Sequence, residues 1–324
     1  ASRQESVASS YFYQIQENGG LTKFSPQETG TFTITINSIS TAFDQVDEDG
    51  YSASFKKMES YRAEFSKRLA SENPLLDASY VPADGEFSSL YGSKQSEVLL
   101  YSFLAAYQGK SPSRQKLTPF SSIPIPNWSL NYTGLISIPF IKRYFSSFTV
   151  SHRYKSTLSL NGYANNLSYR QGNVDLNMEG NIETALLFRN MAVTINEQFG
   201  PLGKIDMRLK NSILANFEVR KSRTVGLDFG GPTVTEQKSF DIIVGGGYVF
   251  KDLVLPIKVG GKRLKSNLDL KANVGVKSSS LTLMLIDGEA ETTQGAKIVN
   301  INLTADYMVT KQITVRAFYT QTIN

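Results

Sequence analysis

The sequence predicts an all-β fold, a segment of a large antiparallel transmembrane β-barrel with a partly helical insertion. Apolar and polar residues alternate over long segments of its second half, and successive strand side chains point to opposite faces of a sheet. Several of these segments reach 11 to 14 residues, whereas soluble strands average about 5–6 and membrane-spanning strands need about 9–11. Aromatic residues make up 11% and charged residues only 19%, below the roughly 25% typical of soluble domains.

The first part of the chain is predicted to hold one strand and then a helical segment. Residues 1–40 form an N-terminal segment whose last part, 30–40, is the first barrel strand. Residues 41–126 are predicted to be a partly helical extracellular insertion. A first helix over 52–70 is indicated by four apolar residues on one stripe, Phe55, Met58, Phe65 and Leu69. A second, shorter helix is predicted over 95–107.

Residues 127–324 are predicted to supply antiparallel barrel strands, as the incomplete C-terminal portion of a larger barrel. With the first strand they number eleven, at 30–40, 127–134, 145–161, 191–199, 205–219, 224–230, 239–251, 264–277, 280–286, 297–309 and 313–323. A one-residue slip would exchange the two faces of a strand, so the alternation also predicts register. A loop at 310–312 gives the pairs Tyr307–Val315, Ala305–Ala317 and Leu303–Tyr319.

Two further turns are predicted on the same grounds. A loop at 221–223 divides the segment 205–229, which is too long for one membrane crossing at about 3.3 Å per residue. A turn at 278–279 places Val276 opposite Leu281.

The lengths of the connections predict which side of the membrane each one faces. Barrels have long extracellular loops and short periplasmic turns. The long connections 41–126, 162–190, 252–263 and 287–296 are therefore expected outside. The last strand would then run outward, and because bacterial single-chain barrels have even strand numbers, at least one more strand is expected beyond residue 324.

The alternation assigns candidate residues to each face of the wall. The polar candidates for lining the lumen are Arg153, Lys155, Asp241, Lys265, Asp269, Lys271 and Lys277. These residues would either simply be hydrated as part of a polar wall, or form a lining of mixed charge that resists adhesion of translocated protein. The candidates for facing lipid are Phe148, Val150, Leu158, Leu268, Leu270 and Val274.

No enzyme active site, metal site or cofactor site is predicted. The chain has no cysteine and a single histidine, His152, which shares a face with apolar neighbours and fits an aromatic girdle better than catalysis. The charged run 47–49 is a weak candidate for a cation-binding site. The run Gly245–Gly247 lies within a strand, which indicates a bulge or close backbone packing rather than a phosphate cradle. Basic residues do not cluster, so nucleic acid is not expected as a partner.

A set of short runs in order along the chain carries a family resemblance: Leu104–Lys110, Ile123–Trp128, Asn131–Leu135, Phe148–Thr157, Glu197–Gly203, Lys221–Thr224, Thr235–Glu236, Gly247–Tyr248, Ala305–Tyr307 and Phe318–Tyr319. The set resembles the C-terminal region of the SprA (Sov) family, the outer-membrane translocon of the type IX secretion system. Residues 162–190 match nothing in that family, whose members are several times longer.

The resemblance implies a very large barrel in the bacterial outer membrane that exports folded proteins. The expected partners are secreted cargo proteins, a PorV-type partner barrel, a plug protein, outer-membrane lipid and the remainder of the chain's own polypeptide. Two other hypotheses stay open at this point. One is a porin-like or nutrient-uptake barrel, and the other is a soluble all-β binding protein.

Overall fold

The computed structural model shows one large antiparallel sheet with helices packed on part of one face. It describes residues 1–16, 19–24, 26–76, 86–170, 175–178, 180–184, 186–187, 192–259, 262–309 and 313–324. The prediction of a mostly antiparallel β fold is confirmed. Within these residues the sheet does not close into a barrel, since its outermost strands have one partner each.

The strands are β1 Arg3–Ser10, β2 Tyr13–Ile15, β3 Leu21–Lys23, β4 Gln27–Thr35, β5 Trp128–Tyr132, β6 Phe145–Asn165, β7 Asp175–Leu176, β8 Ile182–Glu183, β9 Leu186–Leu187, β10 Ala192–Leu209, β11 Ile213–Asp228, β12 Thr233–Val259, β13 Lys262–Leu285, β14 Ala290–Met308 and β15 Thr314–Ile323. The main sheet runs in the order β1-β4-β6-β10-β11-β12-β13-β14-β15, and both β5 and β9 also pair with β6. Strands β2 and β3 form a separate hairpin, as do β7 and β8.

Strands β4 and β5 follow one another along the same partner. Strand β4 pairs with β6 over residues 157–164, and β5 pairs with β6 over residues 150–154, both antiparallel. The amide of Ile125 donates a hydrogen bond of 2.9 Å to the carbonyl of Thr35, so the chain returns beside the point where it left. Residues 36–127, hereafter the insertion, therefore interrupt a strand rather than connect two strand ends.

The insertion contains the two predicted helices, α1 Ala53–Glu72 and α2 Ser96–Tyr107. Ser52 caps α1 by accepting a hydrogen bond from the Phe55 amide, as expected of an N-cap serine. Helix α2 is buried on nearly every side, which explains why its sequence is apolar all round. Short helices α3 Pro139–Tyr144 and α4 Leu167–Arg170 lie on either side of β6.

One hydrophobic core joins the insertion to the sheet. The apolar side chains of α1 and α2 pack with residues of the upper end of the sheet, which is the end that holds the turns at 229–232 and 286–289. The sheet contributes one side chain or more from each of six strands, including Phe32, Ile34, Leu158, Leu160, Val193, Ile195, Val225, Leu227, Val234 and Met284. The insertion therefore covers the upper part of one sheet face.

Several predicted turns are wrong. Residues 221–223 lie inside β11 and residues 278–279 inside β13, each paired with a strand on both sides. Val276 consequently lies opposite Ile242 and Val299, not Leu281. The link predicted at 200–204 is a bulge within β10. A three-residue turn does divide the segment 205–229, but at 210–212, where Ser212 adopts a positive φ of 71°.

The predicted register of the last hairpin is confirmed, with Tyr307–Val315, Ala305–Ala317 and Leu303–Tyr319 as partners; its loop, 310–312, lies outside the described residues. The assignment of 252–263 to the same side as the insertion is wrong. Because β12 and β13 run on without the predicted breaks, the end of β12 at Val259 and the start of β13 at Lys262 lie at the lower end of the sheet, as does the turn at 210–212.

Candidate functional site

Below the insertion, the same sheet face carries an uncovered belt of apolar side chains. Exposure is 54% for Val244, 44% for Val274 and 44% for Leu303, and the register places these residues on one face. This apolar band consists of Phe148, Val150, Ile205, Met207, Phe217, Val219, Phe240, Ile242, Val244, Tyr248, Phe250, Leu268, Leu270, Val274, Val276, Val299, Ile301, Leu303 and Tyr319. Soluble proteins rarely leave an apolar patch of this extent uncovered.

The opposite face at the same height is mostly polar and charged. Asp306 accepts two hydrogen bonds from Arg316, of 2.6 and 3.0 Å, and Lys204 lies 3.0 Å from Asp206. Asp241 and Lys277 are direct cross-strand partners. Ile243 and Val249 interrupt the pattern, but the face as a whole offers hydrogen-bonding groups of both charges to water.

All seven predicted lumen candidates lie on the polar face, by register: Arg153, Lys155, Asp241, Lys265, Asp269, Lys271 and Lys277. Of the six predicted lipid-facing residues, five lie in the apolar band: Phe148, Val150, Leu268, Leu270 and Val274. Leu158 shares their face but lies higher, buried in the core beneath the helices, so protein rather than solvent covers it.

Aromatic side chains border the upper edge of the band near β5. Trp128 stacks on Tyr154 with ring centroids 4.4 Å apart, and Tyr154 contacts Phe199 at 4.9 Å. His152 lies next to this group, and its Nδ1 is 2.7 Å from the carbonyl oxygen of Leu202. The structure therefore places the single histidine among aromatic rings.

Between the band and the core lies a buried ionic cluster that the sequence did not indicate as a site. Its members are Glu197, Arg223 and Glu236, each about 1% exposed at the side chain, with the partly exposed Lys238. Arg223 Nη2 is 3.0 Å from Glu197 Oε2, and Arg223 Nη1 is 3.8 Å from Glu236 Oε1. Lys238 Nζ is 3.3 Å from the same Glu236 oxygen.

The cluster holds the start of the insertion against the sheet. Arg223 Nη2 donates to Thr41 Oγ1 at 2.8 Å. Ser38 and Tyr154 each donate a hydroxyl hydrogen bond of 2.7 Å to Glu197 Oε1. Glu236 is less well satisfied, because neither carboxylate oxygen accepts a hydrogen bond in the described part of the chain. Its charge is balanced by the neighbouring Arg223 and Lys238.

The sequence signal for this cluster is the presence of charged residues at alternate strand positions that are otherwise apolar. Lys221 and Arg223 lie at the alternate positions that Phe217 and Val219 occupy, on the same face of β11. Three runs that carry the family resemblance, Glu197–Gly203, Lys221–Thr224 and Thr235–Glu236, lie side by side here on β10, β11 and β12.

A second buried acid lies inside the insertion. Glu97, in the first turn of α2, is 9% exposed. Burial raises the pKa of its carboxyl group to about 7, although a hydrogen bond with Thr184 acts in the opposite direction. Thr184 follows a segment that is held to the insertion by the hydrogen bond from the Ile182 amide to the Leu90 carbonyl, 2.9 Å. The Glu97 carboxyl group therefore lies where α2 meets residues 182–184.

The other weak candidates from the sequence have structural explanations. Asp47 accepts hydrogen bonds from Lys56 and from the Tyr51 amide. A Cβ on Gly247 would lie 2.5 Å from the Leu270 carbonyl oxygen, so the glycine run reflects close strand packing, and the register is unbroken there. Over the described ranges, no three acidic or histidine side chains group as metal ligands.

No helix among the described residues combines the length and apolar character needed to cross a membrane. The chain matches no protein-family model, and it matches no curated protein either.

Proposed function

We propose that the chain forms part of the wall of an outer-membrane translocon, a very large β-barrel that exports folded proteins in type IX secretion. The observation that carries the membrane part is the apolar band. Along β12 it extends from Phe240 to Phe250, about 33 Å of strand at about 3.3 Å per residue. A strand tilted by about 40° would rise about 25 Å over this length, the height of the apolar belt in outer-membrane barrels.

The polar face supports a water-filled lumen on the other side of the wall. Its charges are of both signs, and several are paired with each other, as in Asp306 with Arg316. A hydrated surface of this kind offers a passing polypeptide little apolar area to adhere to. The lumen candidates named from the sequence would then line the passage, and the five uncovered apolar candidates would contact lipid.

The resemblance to the SprA family supports the choice of folded proteins as cargo. It also supplies the proposed partners, which are a PorV-type barrel, a plug protein and the secreted cargo. Within the described residues, β5 pairs only with β6 and β15 only with β14. In a bilayer the second edge of each strand needs a partner, so we propose that other strands of the same polypeptide complete the wall.

A porin-like or nutrient-uptake barrel is the alternative. It shares the apolar band and differs in requiring a small closed barrel. Closure would pair β15 with the edge formed by β1 and β5, a pairing that the described part of the chain does not contain. The resemblance to the SprA family favours the translocon.

Two neighbouring substitutions test the membrane wall. Leu303→Arg puts a guanidinium in the apolar band, which costs about 2–4 kcal/mol near the bilayer centre. Thr304→Arg puts the same group on the polar face, where water solvates it. We expect Leu303→Arg to deplete the assembled protein in outer-membrane fractions and Thr304→Arg to leave it unchanged. Equal assembly of the two variants would contradict a lipid-facing band.

Loss of the protein tests the cargo. We expect cells without it to retain folded secretion substrates in the periplasm while small solutes enter normally. Normal secretion with impaired solute uptake would instead favour the porin-like alternative.

A further inference from the structure

The connection between β5 and β6 forms a short apolar step at the lower end of the sheet. It comprises a 3-10 turn, Gly134–Ser137, followed by helix α3. Six residues are too few for a helix to be stable alone. Here the position is fixed from both ends, because β5 and β6 pair with each other and the Lys210 amide donates a 3.0 Å hydrogen bond to the Tyr144 carbonyl.

The apolar side chains of this step point away from the protein. Phe140 is 70% exposed, Tyr144 48% and Ile138 44%. Their backbone is nonetheless ordered, with the Lys142 amide donating to the Ile138 carbonyl at 2.9 Å. The step thus holds an apolar surface in place without covering it. That surface continues through Phe145 into the lower edge of the apolar band at Phe148. The ring centroids of Phe145 and Phe148 are 5.5 Å apart.

The charges on the step itself are both positive. Lys142 and Arg143 are exposed and form no ion pair among the described residues. No aspartate or glutamate occurs between Glu97 and Asp175, a stretch with eight basic residues: Lys110, Arg114, Lys116, Lys142, Arg143, Arg153, Lys155 and Arg170. The turn at 210–212 adds Lys210 at the same end of the sheet.

We propose that residues 134–144 lie in the headgroup layer of the leaflet at the lower end of the band, where Lys142 and Arg143 bind anionic phospholipid headgroups. The inference rests on the proposed membrane wall. Phe140, Ile138 and Tyr144 would enter the acyl boundary while the two cations stay at the headgroups, the arrangement of an interfacial amphipathic segment. The segment would fix the height of the wall in the bilayer.

Site-directed spin labelling of the full chain in vesicles tests the placement. The chain has no cysteine, so Phe140→Cys, Val274→Cys and Lys271→Cys each carry one label. In vesicles of phosphatidylcholine with phosphatidylglycerol, we expect labels at 140 and 274 to be relaxed by oxygen and shielded from a water-soluble nickel chelate. The label at 271 should show the reverse. A label at 140 that is exposed to the chelate, beside a shielded one at 274, would overturn this inference alone. Exposure at 274 would overturn the membrane wall as well.

Lipid selectivity tests the role of the charges. A basic residue near an anionic surface contributes about 1 kcal/mol, so we expect the preference of the protein for spin-labelled phosphatidylglycerol over phosphatidylcholine to fall about fivefold for Lys142→Gln or Arg143→Gln. The matched changes Arg114→Gln and Lys116→Gln, in the insertion, should leave it unchanged. An equal preference in all four variants would show that the step does not select anionic headgroups.

Discussion

Replacing Arg223 by methionine should loosen the insertion from the sheet. The change keeps a long side chain but removes the cation that bridges Glu197 and Glu236. Both carboxylates are about 1% exposed, and the amines that remain are Lys238, 3.3 Å from Glu236, and the more distant Lys221. Removing one partner of a buried ion pair costs about 3–5 kcal/mol because the other charge stays buried and unpaired. The loss of the hydrogen bond to Thr41 adds to this cost.

Hydrogen exchange of the assembled protein measures the effect. In Arg223→Met, amides of α2 and of residues 38–44 should exchange faster, with a local opening free energy lower by about 3–5 kcal/mol. Lys265→Met is the control, since Lys265 and its partner Asp252 are both exposed, and the change should alter stability by less than about 1 kcal/mol. Adding Glu197→Gln and Glu236→Gln to Arg223→Met should recover most of the loss. The reasoning fails if Arg223→Met and Lys265→Met behave alike, or if the triple variant is no more stable than the single one.

Three other predictions concern Glu97, Gly247 and the two ends of the sheet. The Glu97 carboxyl has a folded pKa of about 7 against an ordinary value of 4.5, so the stability of the protein is full below pH 4.5, falls between pH 4.5 and 7 and stays low above. Glu97→Gln should therefore protect α2 amides by up to about 3 kcal/mol at pH 8 and hardly at all at pH 4. The same gain at both pH values would contradict this. Gly247→Ala should lower the free energy of unfolding by about 1–3 kcal/mol in a thermal unfolding experiment, because the new Cβ meets a backbone oxygen. Gly203→Ala, with open space around its Cβ, should be near neutral. Similar losses of stability in the two variants would count against the packing argument. Ser71→Cys on the insertion should react with an impermeant thiol reagent on intact cells and Asn211→Cys in the lower turn only after permeabilisation, and the opposite pattern would invert the topology.

Alternation in the sequence predicts most of the sheet because the environment of each sheet face determines whether the side chains on it are apolar or polar. Along its hairpin with β15, strand β14 is apolar on one face and mostly polar on the other, and the predicted register of Leu303 with Tyr319 is correct. The two helices of the insertion were also predicted correctly, from the apolar stripe of α1 and the continuous apolar run of α2.

The misplaced turn at 278–279 has a physical origin. At the height of the ionic cluster, the face that is apolar in the band becomes polar, through Arg223 on β11 and through Ser278 and Ser280 on β13. On β13 the other face becomes apolar at Leu281 and Leu283. A strand that passes from one environment into another shows the same change of phase as a strand that turns back. Sequence alternation alone does not distinguish the two, and the cluster, whose members are distant in sequence, is visible only after folding.

The return of the chain at Ile125 to the point where it left at Thr35 has a consequence for how much such a sheet can vary. Strand β6 holds the residues on both sides of this junction through independent ladders. Residues can be gained, lost or exchanged between them without changing the order or register of the strands. A segment of another length or sequence could therefore cap the same sheet.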